Sequence, residues 1–336
     1  MTMEEVAGRR PGLLPVREAA MRSLPRIDLS VVIVTWNSER WIERCLQAIE
    51  GACDGLVHET IVYDNASFDS TLSRVGPEVQ VVSGGENAGF AAGINRAIAR
   101  SRGRYVFLLN PDCELAPLAL AQLVGFLDER PDAAAAAPLL IDDEGESQRE
   151  FQLRRLPTPA TFLSEVFALH RLLPRNGQTA RYRYRDLDLT RPCLVEQPAA
   201  AALLLRRSVY DQIGPLDEQF VPAWFEDVDY CRRLADAGKN VFVVPSATAR
   251  HFGGASLEHV AFVTFVDVWY RNMWLYARKW FTAPQAEALR WAIIVGMLLR
   301  LPLALLGIAH GEAGRAKAVR AYAGVLKNSF FRWTPR

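Results

Sequence analysis

The sequence has few cysteines, and they follow no recognisable pattern. None of the five forms a CxxC pair or a metal-ligand spacing, whereas a disulfide framework needs an even, ordered set. We therefore expect reduced, mostly buried thiols, which indicates a cytosolic compartment. The 336 residues also carry a net charge of only +1. This near-neutrality argues against a nucleic-acid-binding protein, which concentrates basic charge.

Loops that mark several common enzyme classes are also absent. No GxGxxG follows the first predicted strand, and there is neither a GxxxxGK[ST] loop nor a GxSxG turn. These absences exclude the dinucleotide-binding, P-loop and serine-hydrolase classes. Residues 1–26 lack a continuous apolar run but contain five arginines. We expect a flexible basic arm there rather than a secretory signal peptide.

What is present is an alternation of apolar strands and amphipathic helices. Residues 29–35 (LSVVIVT) form a β-branched run typical of a strand buried on both faces. Helix-type and strand-type segments then alternate as far as residue 129. The pattern predicts an α/β fold with a doubly wound, mainly parallel sheet, whose polar loops gather at the carboxyl ends of the strands. We predict one catalytic domain over 27–256, with a variable excursion over its active-site face at 153–192.

The predicted C-terminal segment, 257–336, is helical, apolar and basic. Its apolar stretch at 291–309 is interrupted by Arg300 and Pro302, which would break a membrane span into halves too short to cross. Basic residues predominate after it, and this combination fits a segment lying on an anionic leaflet. The alternatives are a helical hairpin packed on the catalytic domain or on a second copy in a homo-oligomer, and a single span.

Small polar side chains follow the first two predicted strands. Thr35 and Asn37 close the first strand, and Asp64 closes the second. A carboxylate at this position can accept hydrogen bonds from a pyrimidine or a ribose. An ordinary Asx turn explains the same Asp-Asn-Ala-Ser segment equally well.

Two further polar segments follow along the chain. Residues 87–95 (NAGFAAGIN) contain Gly89 and Gly93, which permit close backbone approach to a ligand, and Asn95 on a helix face. The segment NPD places Asp112 directly after a buried strand, where a carboxylate can hold Mg²⁺ or a similar cation against phosphate oxygens. The alternatives are a loop with a helix cap and a Pro-Asp turn.

A third group is the carboxylate cluster in residues 224–230 (WFEDVDY), where three acids lie between aromatic residues. A carboxylate that must accept a proton in a partly dry cleft needs apolar neighbours. A helix start is the alternative, since acids are favoured at the positive end of the helix dipole.

Together these segments resemble family 2 glycosyltransferases, particularly their rhamnosyltransferase-like branch. In order along the chain they are VVIVTWN, IVYDNASFDS, NAGFAAGIN, FLLNPDCEL, ALLLRR, GPLDEQF, WFEDVDYCRRLADAG and HFGGAS. The resemblance spans about two thirds of the chain. It implies the nucleotide-diphospho-sugar transferase fold (GT-A type), a nucleoside-diphosphate sugar donor and inversion at the anomeric carbon.

The resemblance also implies residue roles. The nucleoside and sugar would be bound by Thr35, Asn37, Asp64, Asn87, Gly89, Asn95 and Asn110. Asp112 would bind Mg²⁺ or Mn²⁺ with help from His251, and Asp227 would be the catalytic base. Trp224 would face an acceptor sugar and Glu226 one of its hydroxyls, although Trp224 is alternatively a core residue. Asn110 replaces the first acid of the family's Asp-x-Asp element, and alanines at 200–202 stand where relatives carry Gly-Ala.

The implied donor is dTDP-rhamnose, with a UDP-hexose as the alternative. The implied acceptor is a lipid-linked saccharide or a cell-envelope polysaccharide, which would place the protein peripherally at the cytoplasmic face of the cell membrane. Two other classes remain. A nucleotidyltransferase would need a basic Gly-rich loop where Trp36 stands. A non-catalytic sugar-nucleotide scaffold would not need Asp227.

Overall fold

The computed structural model describes residues 26–169, 173, 176–253, 260–308 and 314–333. The predicted arm at 1–26 therefore lies, apart from Arg26, outside the described residues. The predicted domain boundary at 256 and residues 170–172, 174 and 175 of the predicted excursion also lie outside them.

Strands and helices alternate through the first half of the described chain. The strands are β1 Leu29–Thr35, β2 His58–Asp64, β3 Gln80–Ser83, β4 Tyr105–Leu109, β5 Cys113–Leu115, β6 Ala133–Ile141, β7 Leu153–Arg154, β8 Cys193–Val195, β9 Gln197–Pro198, β10 Ala202–Arg206 and β11 Asn240–His251. The helices are α1 Ile42–Ala52, α2 Phe90–Ile98, α3 Ala119–Glu129, α4 Arg149–Gln152, α5 Pro159–Val166, α6 Gly177–Tyr182, α7 Arg207–Ile213, α8 Glu226–Asp236, α9 Phe262–Trp280, α10 Ala283–Leu305 and α11 Arg315–Phe330. A 3₁₀ turn spans Leu72–Arg74.

The main sheet has the order β3-β2-β1-β4-β10-β6-β11-β5, and β8 also pairs with β11. Strands β3, β2, β1 and β4 are parallel, and β11 is parallel to β6. Strand β10 runs antiparallel between β4 and β6. The prediction of a mainly parallel sheet with flanking helices is confirmed. Parallel order from β3 to β4 brings the carboxyl ends of β1, β2 and β4 to one edge.

Two strands differ from the sequence prediction. The pattern gives no sign of β6, because its five consecutive alanines lack the β-branched residues that mark a strand. The apolar run at 241–244 and the proline after it predict a short strand that ends at Pro245, and this prediction is wrong. Pairing with β6 shifts register between Val244 and Thr248 and then resumes, so β11 continues to His251. A bulge accommodates a proline that a regular ladder would exclude.

Hydrophobic residues pack on both faces of the sheet, with α1 and α3 on one face and α2, α7 and α8 on the other. A third cluster joins α5 and the start of α8 to helices α9, α10 and α11. The C-terminal helical segment therefore shares a core with the sheet domain. This shared core positions α9 next to the carboxylate cluster.

Helix α10 runs through Pro302 to Leu305 rather than breaking there. Within the described residues it is the one helix long and apolar enough to cross a membrane by length and composition. One face of α10 is buried in the third cluster. Its other face exposes apolar side chains: Trp291, Val295, Leu298, Leu299, Leu303 and Leu305.

Candidate active site

A cavity of about 970 Å³ lies at the carboxyl ends of β1, β2 and β4. It is lined by most of the residues predicted from the sequence: Thr35, Asn87, Asn110, Asp112, Trp224, Glu226, Asp227 and His251. These residues are far apart along the chain, and the sheet topology brings them to one edge. The predicted excursion contributes Arg154, Phe162 and Tyr182 to the same cavity.

Two of the residues predicted to bind the nucleoside-diphosphate sugar lie behind the cavity wall. Asp64 accepts hydrogen bonds from the Thr35 hydroxyl at 2.8 Å and from the Ser67 hydroxyl at 2.6 Å. Asn37 has a positive φ of 53° and accepts a hydrogen bond from the Phe68 amide at 3.0 Å. Both side chains thus fix the loops after β1 and β2. Asn65, which the sequence analysis did not select, lines the cavity beside them.

The predicted residues Gly89 and Asn95 also lie outside the cavity lining. Gly89 has φ of 91°, and a Cβ there would lie 2.8 Å from the Pro222 carbonyl oxygen. Its close approach is therefore to the protein backbone. The Asn95 amide donates to the Leu216 carbonyl and accepts from the Leu216 amide, both at 2.9 Å. Asn95 thereby fixes α2 to the loop before the carboxylate cluster.

Asp112 and His251 form a pair at the polar end of the cavity. The His251 Nε2 lies 3.7 Å from Asp112 Oδ2. Each ligand atom bonds such a cation at about 2.0–2.2 Å, so this separation fits two ligands sharing one ion. Burial lowers the pKa of His251, which favours the neutral imidazole that binds metals. The donor set therefore fits a divalent cation that also binds substrate phosphates.

Cys113 lies close enough to complete a cluster with Asp112 and His251, with ligand atoms within 4.8 Å of one another. However, burial and the Asp112 charge raise the pKa of the Cys113 thiol well above its usual range. A thiol binds metal as the thiolate. Its Sγ lies 3.4 Å from the Ala201 carbonyl oxygen, to which it can donate. Asp112 and His251 therefore suit a hard divalent cation better than the Cys113 thiol does.

Gln148 orients the imidazole of His251. Its Oε1 lies 2.9 Å from His251 Nδ1, and its Nε2 donates to the His251 carbonyl at 2.7 Å. An amide oxygen can only accept, so Nδ1 carries the proton and Nε2 presents its lone pair toward Asp112. The sequence analysis missed Gln148 because it is 103 residues from His251 and belongs to no recognised segment.

Asp227 stands in the first turn of α8, on the cavity wall. Its Oδ1 accepts from the Val228 amide at 2.8 Å, and its Oδ2 accepts from Gln197 at 3.2 Å and the Ala200 amide at 3.4 Å. Burial raises the pKa of Asp227, and these donors oppose the rise. The result is a desolvated carboxylate with higher basicity, which suits proton acceptance.

Glu226 beside it differs in its surroundings. Burial and the Asp227 charge raise the pKa of Glu226 well above its usual range, and its Oε2 has no hydrogen-bond partner among the described residues. Asp227 accepts from three donors and Glu226 Oε2 from none, so hydrogen bonding favours the ionised form of Asp227 over that of Glu226.

The third acid of the cluster, Asp229, has a structural role. It is fully buried and accepts hydrogen bonds from Arg233 at 3.0 Å and from the Trp280 indole at 2.8 Å. Lys279 also lies 2.7 Å away. Asp229 therefore fixes α8 to the end of α9.

Helix α9 also holds the turn that carries Glu226 and Asp227. Trp224 and Phe225 both have positive φ, 73° and 79°, a strained conformation for residues with side chains. Buried Asn272 of α9 donates to the Ala223 and Trp224 carbonyls at 2.9 and 3.0 Å. The C-terminal helical segment therefore helps to fix the turn that carries Glu226 and Asp227.

The cavity has two walls of different character. We call the strand-end residues Thr35, Asn65, Asn110, Asp112 and His251 the polar wall. The apolar wall comprises Phe162, Trp224, Phe225, Trp269 and Met273 from α5, the turn before α8, and α9. Asp227 also lines this cavity.

The mainly parallel sheet with flanking helices is of the GT-A type. The fold agrees with the solved structure of the mannosyltransferase PcManGT from Pyrobaculum calidifontis in complex with GDP-Man and Mn²⁺. That structure aligns over 93% of each chain with a TM-score of 0.51 and 16% identity.

The chain belongs to glycosyl transferase family 2, whose sequence profile matches residues 30–214. It is similar to the N-acetylglucosaminyl-diphospho-decaprenol L-rhamnosyltransferase of Mycobacterium tuberculosis, with 31% identity over 66% of this chain and 75% of the relative. It is also similar to the rhamnosyltransferase WbbL of Escherichia coli, with 24% identity over 66% and 82%. The protein is therefore a glycosyltransferase, and the resemblance to the rhamnosyltransferase-like branch is confirmed.

Proposed function

We propose that the protein transfers rhamnose from a nucleoside-diphosphate sugar to a hydroxyl of a lipid-linked or cell-envelope glycan, with inversion at the anomeric carbon. The observation that carries this proposal is the presence of a desolvated carboxylate, Asp227, in the same cavity as the Asp112–His251 pair. Asp227 can receive a proton from the acceptor, while a cation bound by Asp112 and His251 would hold the leaving diphosphate.

In the proposed mechanism, Asp227 accepts the proton from the acceptor hydroxyl as that oxygen bonds to C1 of the sugar. The bond between C1 and the diphosphate oxygen breaks on the opposite side, and the nucleoside diphosphate leaves with the bonding electron pair. Gln197 and the Ala200 amide keep the Asp227 carboxylate ionised and oriented. Attack opposite the leaving group inverts the configuration at C1.

We propose that Asp112 and His251 hold a divalent cation, Mg²⁺ or Mn²⁺, against the diphosphate. Such a cation neutralises the charge that develops on the leaving group. Gln148 keeps the His251 Nε2 lone pair directed toward Asp112. The Mn²⁺ in the similar mannosyltransferase structure supports this assignment.

For the donor, we propose that Thr35, Asn87 and Asn110 contact the nucleoside, ribose and sugar, since their side chains line the cavity. Asn37, Asp64, Gly89 and Asn95 shape this surface from behind through the contacts described above. We propose that Trp224 packs against an acceptor sugar and that Glu226 binds one of its hydroxyls. The two similar rhamnosyltransferases support dTDP-rhamnose as the donor, with a UDP-hexose as the alternative.

The test is to incubate the full chain and Mn²⁺ with dTDP-rhamnose or UDP-glucose and a lipid-linked N-acetylglucosamine, and to assign the product anomer by NMR. We expect Asp227→Asn to lower kcat by about 10²–10⁴-fold, the range for a lost general base, with dTDP affinity unchanged. The matched control is Asp236→Asn, an exposed acid at the other end of α8. Near-normal turnover of Asp227→Asn would contradict the mechanism. A protein that binds nucleotide but transfers no sugar would be a scaffold.

We also propose that the exposed face of α10 holds the enzyme at the cytoplasmic face of the membrane. Beside this apolar face, α11 exposes Arg315, Lys317, Arg320 and Lys327, which suits an anionic surface. We expect the wild type to float with anionic vesicles and Leu299→Glu not to float with them. Val57→Glu, which changes an exposed apolar position on the sheet domain, should float like the wild type. If Leu299→Glu instead dissociates a dimer in sedimentation, the face is an interface between copies.

A further inference from the structure

Arg154 in β7 presents a cation to the cavity and forms no salt bridge with a described residue. Its Nη1 donates to the Leu153 carbonyl at 3.0 Å, and the side chain lines the cavity. The neighbouring arginines are paired: Arg155 lies 2.8 Å from Glu196, and Arg183 lies 3.1 Å from Glu150. No carboxylate of the described part of the chain lies within salt-bridge distance of Arg154. The half-buried Arg154 therefore differs from the arginines around it.

A desolvated guanidinium without a counter-ion is costly. Burial lowers the pKa of Arg154, yet an arginine stays protonated in proteins, and pairing with an anion would relieve this cost more than the Leu153 carbonyl and the Tyr182 ring do. Its planar donors match the oxygens of a phosphate. An anionic ligand group in the cavity would supply the missing partner.

The position of Arg154 assigns that anion to one side of the reaction. Across the β7–β9 pair, Arg154 is opposite Gln197, and Gln197 donates to Asp227. Arg154 thus lies on the side of the proposed base, where the acceptor enters. In-line displacement puts the donor diphosphate on the other side of C1, at Asp112 and His251. The anion at Arg154 therefore belongs to the acceptor.

The same side of the cavity offers an apolar surface. Phe162 of α5 and Trp269 and Met273 of α9 line it, and the exposed residues Ala261 and Thr264 continue the lining at the start of α9. A free phosphate would leave this apolar surface uncovered. A ligand with an anion next to a hydrocarbon chain would use both features.

We propose that Arg154 binds the diphosphate of a polyprenyl-diphosphate-linked acceptor and that the first isoprene units lie along the apolar wall. This inference rests on the proposed function and adds a binding site for the lipid part of the acceptor. It also makes β7 and the start of α9 determinants of acceptor choice.

The test uses calorimetric titration of the full chain with farnesyl diphosphate after the donor site is filled with Mn²⁺ and dTDP, or UDP if that binds instead. We expect Arg154→Gln to raise the Kd of farnesyl diphosphate about 10–100-fold, the range for a lost charge-assisted contact. Its Kd for the nucleoside diphosphate should stay within about twofold of the wild type. Arg155→Gln, the matched control with a paired arginine, should change neither Kd.

Three results would overturn the assignment. Weaker binding of the nucleoside diphosphate by Arg154→Gln would assign Arg154 to the donor site. An unchanged Kd for both ligands would make Arg154 a structural residue. A nucleotide-loaded wild type that fails to bind farnesyl diphosphate would remove the acceptor site. A wild type that binds neither dTDP nor UDP would instead refute the proposed function. The apolar wall has its own check, because dimethylallyl diphosphate should bind at least about tenfold more weakly than farnesyl diphosphate. Equal affinities would remove the wall from the site.

Discussion

The polar and apolar walls of the cavity are built in different ways. Polar-wall side chains follow strand ends and are fixed by hydrogen bonds, such as Thr35 to Asp64 and His251 to Gln148. Apolar-wall side chains are held by ring contacts between helices, such as Phe162 against Phe225 at 5.8 Å and Phe225 against Trp269 at 5.2 Å. In the proposed function, the hydrogen-bonded sheet edge binds the phosphates and the helical surface receives the acceptor.

The largest effect confined to one wall should come from Asp112→Asn on the polar wall. Losing a carboxylate ligand removes charge from the cation site, so we expect a fall in kcat of about 10²–10³-fold. Apparent Mn²⁺ affinity, measured by electron paramagnetic resonance with dTDP present, should fall in parallel. Glu114→Gln, two residues away and paired with Arg44 at 2.8 Å, is the control. If Asp112→Asn altered only the acceptor KM, the division between the walls would be wrong.

Gln148→Met should have a smaller effect on the same wall. It keeps the side-chain length but removes the acceptor that fixes the proton on His251 Nδ1. Loss of such an outer contact costs about 10–100-fold in metal affinity or activity. Titration of Mn²⁺ measures it, and Gln148→Glu, which keeps an accepting oxygen, should restore most of the affinity. Unchanged Mn²⁺ binding in Gln148→Met would show that His251 does not bind the ion.

On the apolar wall, Trp224→Leu should raise the acceptor KM by about tenfold while leaving the donor KM unchanged. An aromatic face contributes about 0.5–1.5 kcal/mol beyond its buried area, and leucine removes the face. Initial rates at varied acceptor and donor concentrations give both constants. Trp224 also packs edge-on against Phe265 at 4.9 Å. A lowered melting temperature with no change in either KM would identify Trp224 as a core residue.

The smallest expected effect concerns the pH dependence set by Asp227, which lines the same cavity as both walls. Its carboxylate must be ionised to accept a proton, so kcat/KM falls as the pH drops through the pKa of Asp227. Burial raises that pKa, and therefore the acid limb should lie above the usual range of an aspartate. Gln197→Leu removes a donor that favours the anion, so its acid limb should move to higher pH, with a plateau rate within about twofold of wild type. Gln47→Leu on the exposed surface of α1 should leave the limb in place.

Much of the sheet and the polar wall could be predicted from the sequence. Buried strands such as 29–35 carry a local apolar signal. Thr35 is the last residue of β1 and Asp112 lies three residues after β4, at the edge where parallel topology gathers polar groups. Strand β6 could not be predicted, because alanine carries no strand preference and its state depends on pairing with β10 and β11. Gly89 and Asn95 were selected for a ligand, but they contact the loops around Pro222 and Leu216 instead.

The sequence by itself determined the α/β alternation, the family and the chemical types available at strand ends, because periodicity and turn preferences act between residues close in the chain. The tertiary structure alone decided which distant groups share a contact. Only packing brings Gln148 to His251, Gln197 to Asp227, and Asn272 to the strained turn at Trp224. Hydrogen bonds over such separations have no local signal, since they depend on where whole helices and strands come to rest.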